Sequence, residues 1–325
     1  MRPLAITIGD PCGIGPEVAL KAALNSSIQA ICTPILIGDA PLLKQQAKES
    51  HLLWSDEWVV PKVSTNTSLP LQIICENNQD YSHHQRGETS VQGGLSSMSY
   101  LKKALSLLKK KHVSAIVTAP IDKKSWQMAG YSGLGHTDFL ADFFGVENYL
   151  MSFFCDEMKV AVLTRHISLK NVSAHISQEK LLKTLHLIQK TVKPYVSSDK
   201  VHIAVCGVNP HAGENGILGK EEESIIKPAI KKAIEEGLHI SGPFPADTLF
   251  VAENRKHYDF ILAMYHDQGL IPFKMLAFEK GVNVTLGLPC IRTSVDHGTA
   301  YDIVGKNIAK EGSMLEAIKW ATKLA

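Results

Sequence analysis

Short runs of apolar and β-branched residues alternate along this chain with segments of helical periodicity. The strand-like runs cover residues 4–8, 34–37, 71–74, 115–118, 160–164, 201–206, 260–264 and 282–286. The helical patterns cover residues 16–24, 93–110, 178–190, 221–236 and 313–323. Such alternation predicts an α/β fold in which helices cover a mostly parallel sheet. A hairpin predicted over 149–163, with its turn at Asp156 and Glu157, adds some antiparallel pairing.

Composition narrows the class of protein. The 325 residues carry a net charge of +2, which gives no electrostatic reason to expect nucleic acid or a membrane surface as partner. The six cysteines are scattered without a C-x-x-C pair, as in reduced intracellular proteins. The N-terminus lacks the pattern of a signal peptide, and no apolar run has the length of a membrane span. We therefore expect a cytoplasmic protein.

Three of the strand-like runs lead directly to a histidine. His166 follows 160–164, His211 lies in the loop NPHAGENG after 201–206, and His266 follows 260–264. Ligands gather at strand ends in open α/β sheets, and three neutral imidazoles can hold one divalent metal with positions left for a substrate. This pattern predicts a metal-dependent enzyme. The alternatives are a surface role for His211 and a metal-free, buried hydrogen-bonded pair of His266 with Asp267.

Two glycine-containing segments are candidates for binding anions. Residues 9–16 (GDPCGIGP) connect a strand to a helix, but without the G-x-G-x-x-G spacing of a Rossmann fold. An anion contact and a purely structural turn are equally compatible with this loop. In the segment GHTDFLA, Thr137 is a candidate cap for a helix beginning near residue 139, and His136 would add a donor. Capping alone is the favoured interpretation of Thr137 when the segment is taken by itself.

Three further polar residues lie near predicted strand ends in the C-terminal part of the chain. Lys274, Asn283 and Arg292 have side chains suited to a phosphate or carboxylate, although each alone is more typical of a solvated surface.

The segment 296–306, DHGTAYDIVGK, is more specific. It resembles the HGSAPDIAGK loop that holds the adenosine end of NAD(P) in isocitrate and isopropylmalate dehydrogenases, with departures at Thr299, Tyr301 and Val304. This analogy predicts cofactor contacts from the loop residues His297, Gly298, Thr299 and Ala300.

Taken together, these segments resemble the 4-hydroxythreonine-4-phosphate dehydrogenase family of pyridoxal 5′-phosphate (pyridoxine) biosynthesis. The resemblance runs from Thr7 to the end of the chain through GDPCGIGPE, GHTDFLA, NPHAGE, GPFPADTLF, YHDQGLIPFK and RTSVDHGTAYDIVGK. It implies a two-domain, isocitrate-dehydrogenase-like α/β/α fold with an active-site cleft. One domain, residues 1–125 and 278–325, would carry the NAD adenosine loop. The other, residues 126–277, would carry the metal-ligand loops and the dimer contacts.

The resemblance also implies a chemistry. The oxidoreductase would use NAD, or NADP, and one divalent metal (zinc, cobalt or magnesium) to oxidise the C3 hydroxyl of 4-phosphooxy-L-threonine. The resulting 2-amino-3-oxo acid phosphate would lose carbon dioxide to give 3-amino-2-oxopropyl phosphate. The family is homodimeric and shares the metal site between subunits.

The implied roles fall on particular residues of this chain. His166, His211 and His266 become metal ligands, and the substrate contacts become His136, Thr137, Lys274, Asn283 and Arg292. Asp247 and Asp267 are both candidates for catalytic proton handling.

Other substrates and reactions stay open at this point. Relatives within the wider family oxidise phosphorylated sugar acids such as 4-phosphothreonate, or aromatic cis-diol dicarboxylates. Two further classes are a phosphate acyltransferase, which needs neither the histidines nor the nucleotide-like loop, and a zinc hydrolase.

Overall fold

Residues 2–64, 69–76, 86–131 and 135–325 are described by the structure, a computed structural model. The chain divides into two units. Unit 1 comprises Met1–Leu140 and Pro289–Ala325, and unit 2 comprises Ala141–Leu288.

A parallel sheet organises the described part of unit 1. Its strands, in the spatial order β3-β2-β1-β4-β11, are β1 (Arg2–Thr7), β2 (Cys32–Gly38), β3 (Gln72–Cys75), β4 (Ala115–Thr118) and β11 (Ile291–Val295). The central strands are buried on both faces, which explains why β4 reads as the continuous run Ala-Ile-Val-Thr. The helices are α1 (Gly15–Leu24), α2 (Ser26–Gln29), α3 (Ala40–Glu49), α4 (Val91–Lys109), α5 (Lys123–Met128) and α12 (Gly312–Leu324).

Unit 2 has a mixed sheet. Its strands, in the order β10-β5-β6-β9-β7-β8, are β5 (Leu150–Cys155), β6 (Met158–Val162), β7 (His202–Cys206), β8 (His239–Phe244), β9 (Phe260–Ala263) and β10 (Val282–Leu286). The pairs β10–β5 and β5–β6 are antiparallel, and the remaining pairs are parallel. The helices are α7 (Gln178–Val192), α8 (Lys227–Glu235), α9 (Ala246–Leu249), α10 (Ala252–Arg255) and α11 (His266–Ala277). Helix α6 (His136–Phe144) begins in unit 1 and ends in unit 2.

The predicted α/β class and the hairpin around Asp156 and Glu157 are confirmed. The sequence reasoning missed β8 and β11, and both omissions have physical reasons. Strand β8 contains Gly242 and Pro243 and is only partly buried, and β11 carries the three successive polar residues Arg292, Thr293 and Ser294, which hide its strand pattern. The predicted helix over 221–236 divides into a π-helical turn, Glu222–Ile226, followed by α8. Among the described residues, no helix is both long enough and apolar enough to span a bilayer.

Candidate functional site

The three predicted metal-binding histidines all follow neighbouring strands of unit 2. Strands β6, β9 and β7 lie side by side and run parallel, so their carboxyl ends meet at one edge of the sheet. His166 lies beyond β6, His266 begins the helix after β9, and His211 lies in the turn after β7. This edge is where ligands bind in parallel α/β sheets, because the connecting loops lie there.

His166 and His266 are brought together. Their ring centroids are 5.6 Å apart, and the ring planes are inclined at 46°. Nδ1 of His266 lies 2.7 Å from Oδ1 of Asp267, so the carboxylate fixes the imidazole orientation and leaves Nε2 as the remaining ligand atom. The Asp267 side chain is 71% exposed. The pair therefore does not match the alternative of a buried, purely structural His–Asp contact.

His211 is held in an unusual turn. His211, Ala212, Gly213, Glu214 and Asn215 all have left-handed backbone conformations, with φ between 46° and 78°. L residues other than glycine rarely adopt this conformation, and such a run needs support from its surroundings.

The buried side chain of Glu222 gives that support. Its Oε1 accepts hydrogen bonds of 2.8 Å from the backbone amides of Val208 and Asn209, and its Oε2 accepts one of 2.9 Å from Nδ2 of Asn209. A Cβ placed on Gly213 would lie 2.5 Å from Oε2 of Glu222, so the turn packs directly on this carboxylate. Glu222 is thus a site residue that the sequence reasoning missed.

The described residues of one chain contain no group of three His, Cys, Asp or Glu side chains placed to hold a metal ion. The chain brings His166 to His266 but does not add His211 to the same group. All three residues are at least partly exposed.

The remaining predicted residues of unit 2 are dispersed over different elements. Asp247 is exposed in the first turn of α9, and Asn283 is half-buried in β10. Lys274 was expected near a strand end, but it lies within α11, where it is half-buried. The expectation was wrong because the segment after His266 forms a helix at once, despite Pro272.

Unit 1 contains a buried cationic site built around Arg292. Its Nη2 donates to Oγ1 of Thr118 at 2.7 Å, and its Nη1 lies 3.4 Å from Oγ1 of Thr137 as a donor. Burial lowers the pKa of Arg292 to about 10, so the guanidinium stays charged at neutral pH. The planar, charged guanidinium is chemically suited to binding a phosphate or a carboxylate.

His136 lies beside this cation as a neutral group. Burial, and then the positive charge of Arg292, lower the pKa of His136 well below its usual 6.5. The neutral ring can donate one hydrogen bond and accept another. The sequence predicted that Thr137 caps a helix beginning near residue 139. That prediction was wrong, because helix α6 begins at His136 and Thr137 lies in its first turn.

Thr118 was missed as a member of this site. It ends β4, whose parallel partner β11 carries Arg292, and a polar residue at the end of a buried apolar strand was the available signal. Cys290 is also close to this group, and burial raises the pKa of its thiol to about 12.

The predicted cofactor loop, residues 297–300, packs against the glycine-containing loop that follows β1. The amide of Ile14 donates to the Thr299 carbonyl at 3.0 Å, and a Cβ on Gly13 would lie 3.0 Å from Thr299. Nearby in sequence, Nε2 of His297 and Oδ1 of Asn307 are buried without a hydrogen-bond partner among the described residues. Buried polar atoms of this kind are suited to a bound ligand.

Comparison with known proteins gives consistent results over the whole chain. A family model described as pyridoxal phosphate biosynthetic protein PdxA matches residues 30–321. The chain is 42% identical to 4-hydroxythreonine-4-phosphate dehydrogenase of Sulfurihydrogenibium sp., with 100% of this chain and 98% of that protein covered. It is 37% identical to D-threonate 4-phosphate dehydrogenase of Bordetella bronchiseptica, with 99% and 92% covered.

The chain is also similar in fold to a solved structure of a 4-hydroxythreonine-4-phosphate dehydrogenase. The crystal structure of 4-hydroxythreonine-4-phosphate dehydrogenase from Klebsiella pneumoniae superimposes with a TM-score of 0.88 at 34% identity. The match covers 99% of this chain and 98% of that one.

Proposed function

Because the chain belongs to the pyridoxal phosphate biosynthetic protein PdxA family, we propose that it oxidises the C3 hydroxyl of 4-phosphooxy-L-threonine with a nicotinamide dinucleotide. The 3-oxo acid formed would lose carbon dioxide to give 3-amino-2-oxopropyl phosphate. The observation that carries this proposal is the match, over essentially the full length of both proteins, to a relative named for this activity.

The site around Arg292 supports a phosphorylated, anionic substrate. Its guanidinium is charged and buried, and the Thr118 and Thr137 hydroxyls fix its orientation. In a buried site each hydrogen bond from the guanidinium to an anion contributes about 1.5–3 kcal/mol. His136, being neutral, adds a hydrogen bond without adding charge. Lys274 and Asn283 are proposed as further substrate contacts.

The donor set at the edge of the unit 2 sheet fits a divalent cation. We propose that His166, His211 and His266 hold it, and imidazole nitrogens favour zinc or cobalt over magnesium, which prefers oxygen ligands. When bound, such a cation acts as a Lewis acid toward the substrate hydroxyl and the ketone formed from it. Asp267 keeps the His266 ring oriented through Nδ1. Asp247 and Asp267, both exposed, are the candidates for accepting and returning protons.

The loop 297–300 is proposed to bind the adenosine end of NAD or NADP. Two features of this chain support that role. The loop is fixed by its hydrogen bond and close packing against Gly13 and Ile14, and buried polar atoms of His297 and Asn307 lie in the same segment. An adenosine moiety offers donors and acceptors that would satisfy such atoms.

We also propose a homodimer that shares the metal site. Helix α11, which starts at His266, leaves Ile271 57% exposed and Met275 84% exposed, and Phe278 directly after it is 75% exposed. Contiguous exposed apolar residues mark association surfaces. The described part of one chain holds fewer than three clustered metal-ligand candidates. A second copy covering this surface would place additional ligands next to His266.

D-threonate 4-phosphate is the second candidate substrate, favoured by the 37% identity to the Bordetella enzyme named for it. The two substrates share the phosphate, the carboxylate and the C3 hydroxyl, and differ at C2, where one carries an amine and the other a hydroxyl. The same Arg292 site and histidines serve either substrate.

A substrate panel tests the proposal. The protein is supplied with zinc, cobalt or magnesium and with NAD or NADP, and reduced nicotinamide is followed by absorbance. We expect turnover of 4-phosphooxy-L-threonine with the highest kcat/KM, lower values for D-threonate 4-phosphate, and none for an aromatic cis-diol dicarboxylate. His166→Ala should abolish turnover, whereas His175→Ala, which changes an exposed histidine elsewhere in unit 2, should not. Turnover without nicotinamide, or dependence on acyl-CoA, would instead support a hydrolase or an acyltransferase.

A further inference from the structure

Tyr301 directly follows the proposed cofactor loop, and its hydroxyl lies between two carboxylates. The phenolic oxygen is 2.9 Å from Oδ2 of Asp10 and 3.1 Å from Oδ2 of Asp122. Asp10 is completely buried, and the other two residues are partly buried. Thr89 donates a hydrogen bond of 2.6 Å to the same oxygen of Asp122, and the Cys12 amide donates one of 2.8 Å to Oδ1 of Asp10.

The number of protons in this group is constrained by its geometry. A phenol has one hydrogen to donate, yet two carboxylate oxygens lie within hydrogen-bond distance of its oxygen. If both carboxylates were ionised, one of these two short contacts would place a lone pair against a charged oxygen. An additional proton on one carboxyl group removes the conflict, because that group can then donate to the phenolic oxygen while the phenol donates to the other.

The environment of each carboxyl group determines where the additional proton resides. Burial is the main cause that raises the pKa of Asp10 above its usual value. Burial also opposes ionisation of Asp122, but hydrogen bonds from Thr89, the Lys124 amide and Tyr301 lower its pKa overall. Of the two carboxyl groups, Asp10 therefore holds the additional proton more readily, which gives the order of donors Asp10 to Tyr301 to Asp122.

The network joins the loop after β1 to the segment around Tyr301, which is far from it in sequence, and Asp122 at the start of α5 completes it. Asp10 and Cys12 belong to the loop after β1, whereas Tyr301 continues the segment 297–300. The bond from the Ile14 amide to the Thr299 carbonyl lies between the same two segments. The dehydrogenase loops that this segment resembles have proline at the position of Tyr301, and proline has no side-chain donor. In this chain a hydrogen-bonded contact replaces the rigid ring.

We propose that Tyr301 is a positioning residue that fixes the 297–300 loop for dinucleotide binding through a single proton shared with Asp10 and Asp122. The inference rests on the proposed function, because it assumes that this loop binds the nicotinamide dinucleotide. Tyr301 itself acts through the loop and is not assigned a contact with the reacting atoms.

Tyr301→Phe tests the inference by removing the hydroxyl while retaining the ring. The dissociation constant of NAD is measured by calorimetric titration of the full-length protein without substrate, and steady-state kinetics follow. We expect the dissociation constant to rise about tenfold, the size of one lost hydrogen bond to a charged group. The KM for NAD should rise by a larger factor than kcat falls.

Tyr100→Phe is the matched control. Tyr100 is also buried in unit 1, and its hydroxyl also donates to a buried aspartate, Asp39, at 2.8 Å. Loss of the Tyr100 hydroxyl should lower the free energy of unfolding about as much as loss of the Tyr301 hydroxyl does, while leaving the affinity for NAD unchanged. If both variants bind NAD as the wild type does, or if both weaken it equally, Tyr301 has no specific positioning role.

Asp10→Asn gives a second readout that does not depend on Tyr301→Phe folding well. The described titratable groups facing Asp10 are Cys12, Asp122 and Tyr301, and the charge of Arg86 acts on Cys12. Asparagine at position 10 mimics the neutral carboxyl group, since its amide donates to the phenolic oxygen at every pH. The affinity of the wild type for NAD should fall as pH rises through the Asp10 pKa, and that of the variant should not.

These measurements distinguish failure of the proposed function from failure of the positioning role of Tyr301. A wild-type protein that binds neither NAD nor NADP overturns the proposed function and this inference with it. A wild type that binds NAD with the same pH dependence as Asp10→Asn overturns the inference alone.

Discussion

Arg292 is a charged residue that the fold buries. Its guanidinium is 3% exposed and is held by the hydroxyls of Thr118 and Thr137. Removing a charge from water is costly, so a fold that buries an arginine in this way gains little stability from it. We therefore interpret the residue as serving ligand binding.

Arg292→Met tests that interpretation. It should raise the KM for the phosphorylated substrate about 100-fold, because the charge-assisted hydrogen bonds to the anion are lost. The free energy of unfolding should stay within about 1 kcal/mol of the wild type, because a desolvated charge is replaced by an apolar side chain of similar length. Steady-state kinetics and urea denaturation measure the two quantities.

Arg255→Met is the control for this substitution. Arg255 is half-buried in unit 2, donates to the Phe250 carbonyl at 3.1 Å, and carries the same charge. It should leave the KM unchanged. An unaltered KM in Arg292→Met would show that this residue does not bind the substrate.

The sequence identified individual residues of the Arg292 site, but it did not reveal which side chains contact one another. Arg292 and His136 were identified from the sequence, and both lie in the buried site. Thr118 was not, since its contact with Arg292 depends on the pairing of β4 with β11, two strands far apart in sequence. The metal-binding role of the three histidines stays a prediction.

At the scale of elements, the turn carrying His211 depends on the segment after it. Five successive left-handed residues are unfavourable by themselves, and Glu222 compensates by accepting the Val208 and Asn209 amides. The carboxylate lies at the start of a π-helical turn, a geometry often found at functional sites.

Glu222→Ala should lower the free energy of unfolding by about 3 kcal/mol, because the amides of Val208 and Asn209 lose their side-chain acceptor and the Asn209 side chain loses one of its two. Glu223→Ala is the neighbouring control. Glu223 is exposed and pairs with Lys227, and its removal should cost about 0.5 kcal/mol or less. Equal effects of the two variants in urea denaturation would show that Glu222 does not support the turn.

The helical periodicity of residues 221–236 could not reveal this arrangement. The pattern identifies which face of a helix is apolar, but Glu222 is a charged residue whose partners are backbone amides of the preceding loop. The three strand-like runs that each lead to a histidine were more informative. They placed His166, His211 and His266 after three strands that prove to be parallel neighbours.

At the scale of the whole molecule, the proposed homodimer accounts for two features together. Helix α11 exposes Ile271 and Met275, and the described residues of one chain pair His166 with His266 without a third clustered ligand. The alternation of strands and helices predicted the α/β class correctly. It could not predict that Ile271 and Met275 are exposed, because exposure depends on how the helix packs in the folded chain.

Complementation tests the shared site. His211→Ala and His266→Ala should each be inactive alone. When the two are co-expressed, half of the dimers are mixed, and each mixed dimer has one site with all its ligands if His211 and His266 come from different subunits. About a quarter of wild-type activity should therefore return. Activity that stays absent although mixed dimers form would place both residues in a site made by one subunit.

Isotope labelling shows whether C3 of a phosphorylated hydroxy acid is oxidised by hydride transfer to nicotinamide, as proposed. The enzyme is supplied with NAD and 4-phosphooxy-L-threonine carrying deuterium at C3, and the reduced dinucleotide is analysed by mass spectrometry. We expect one deuterium in each reduced nicotinamide, with none left on the product. Reduced nicotinamide without deuterium, or product formed while NAD stays oxidised, would contradict it.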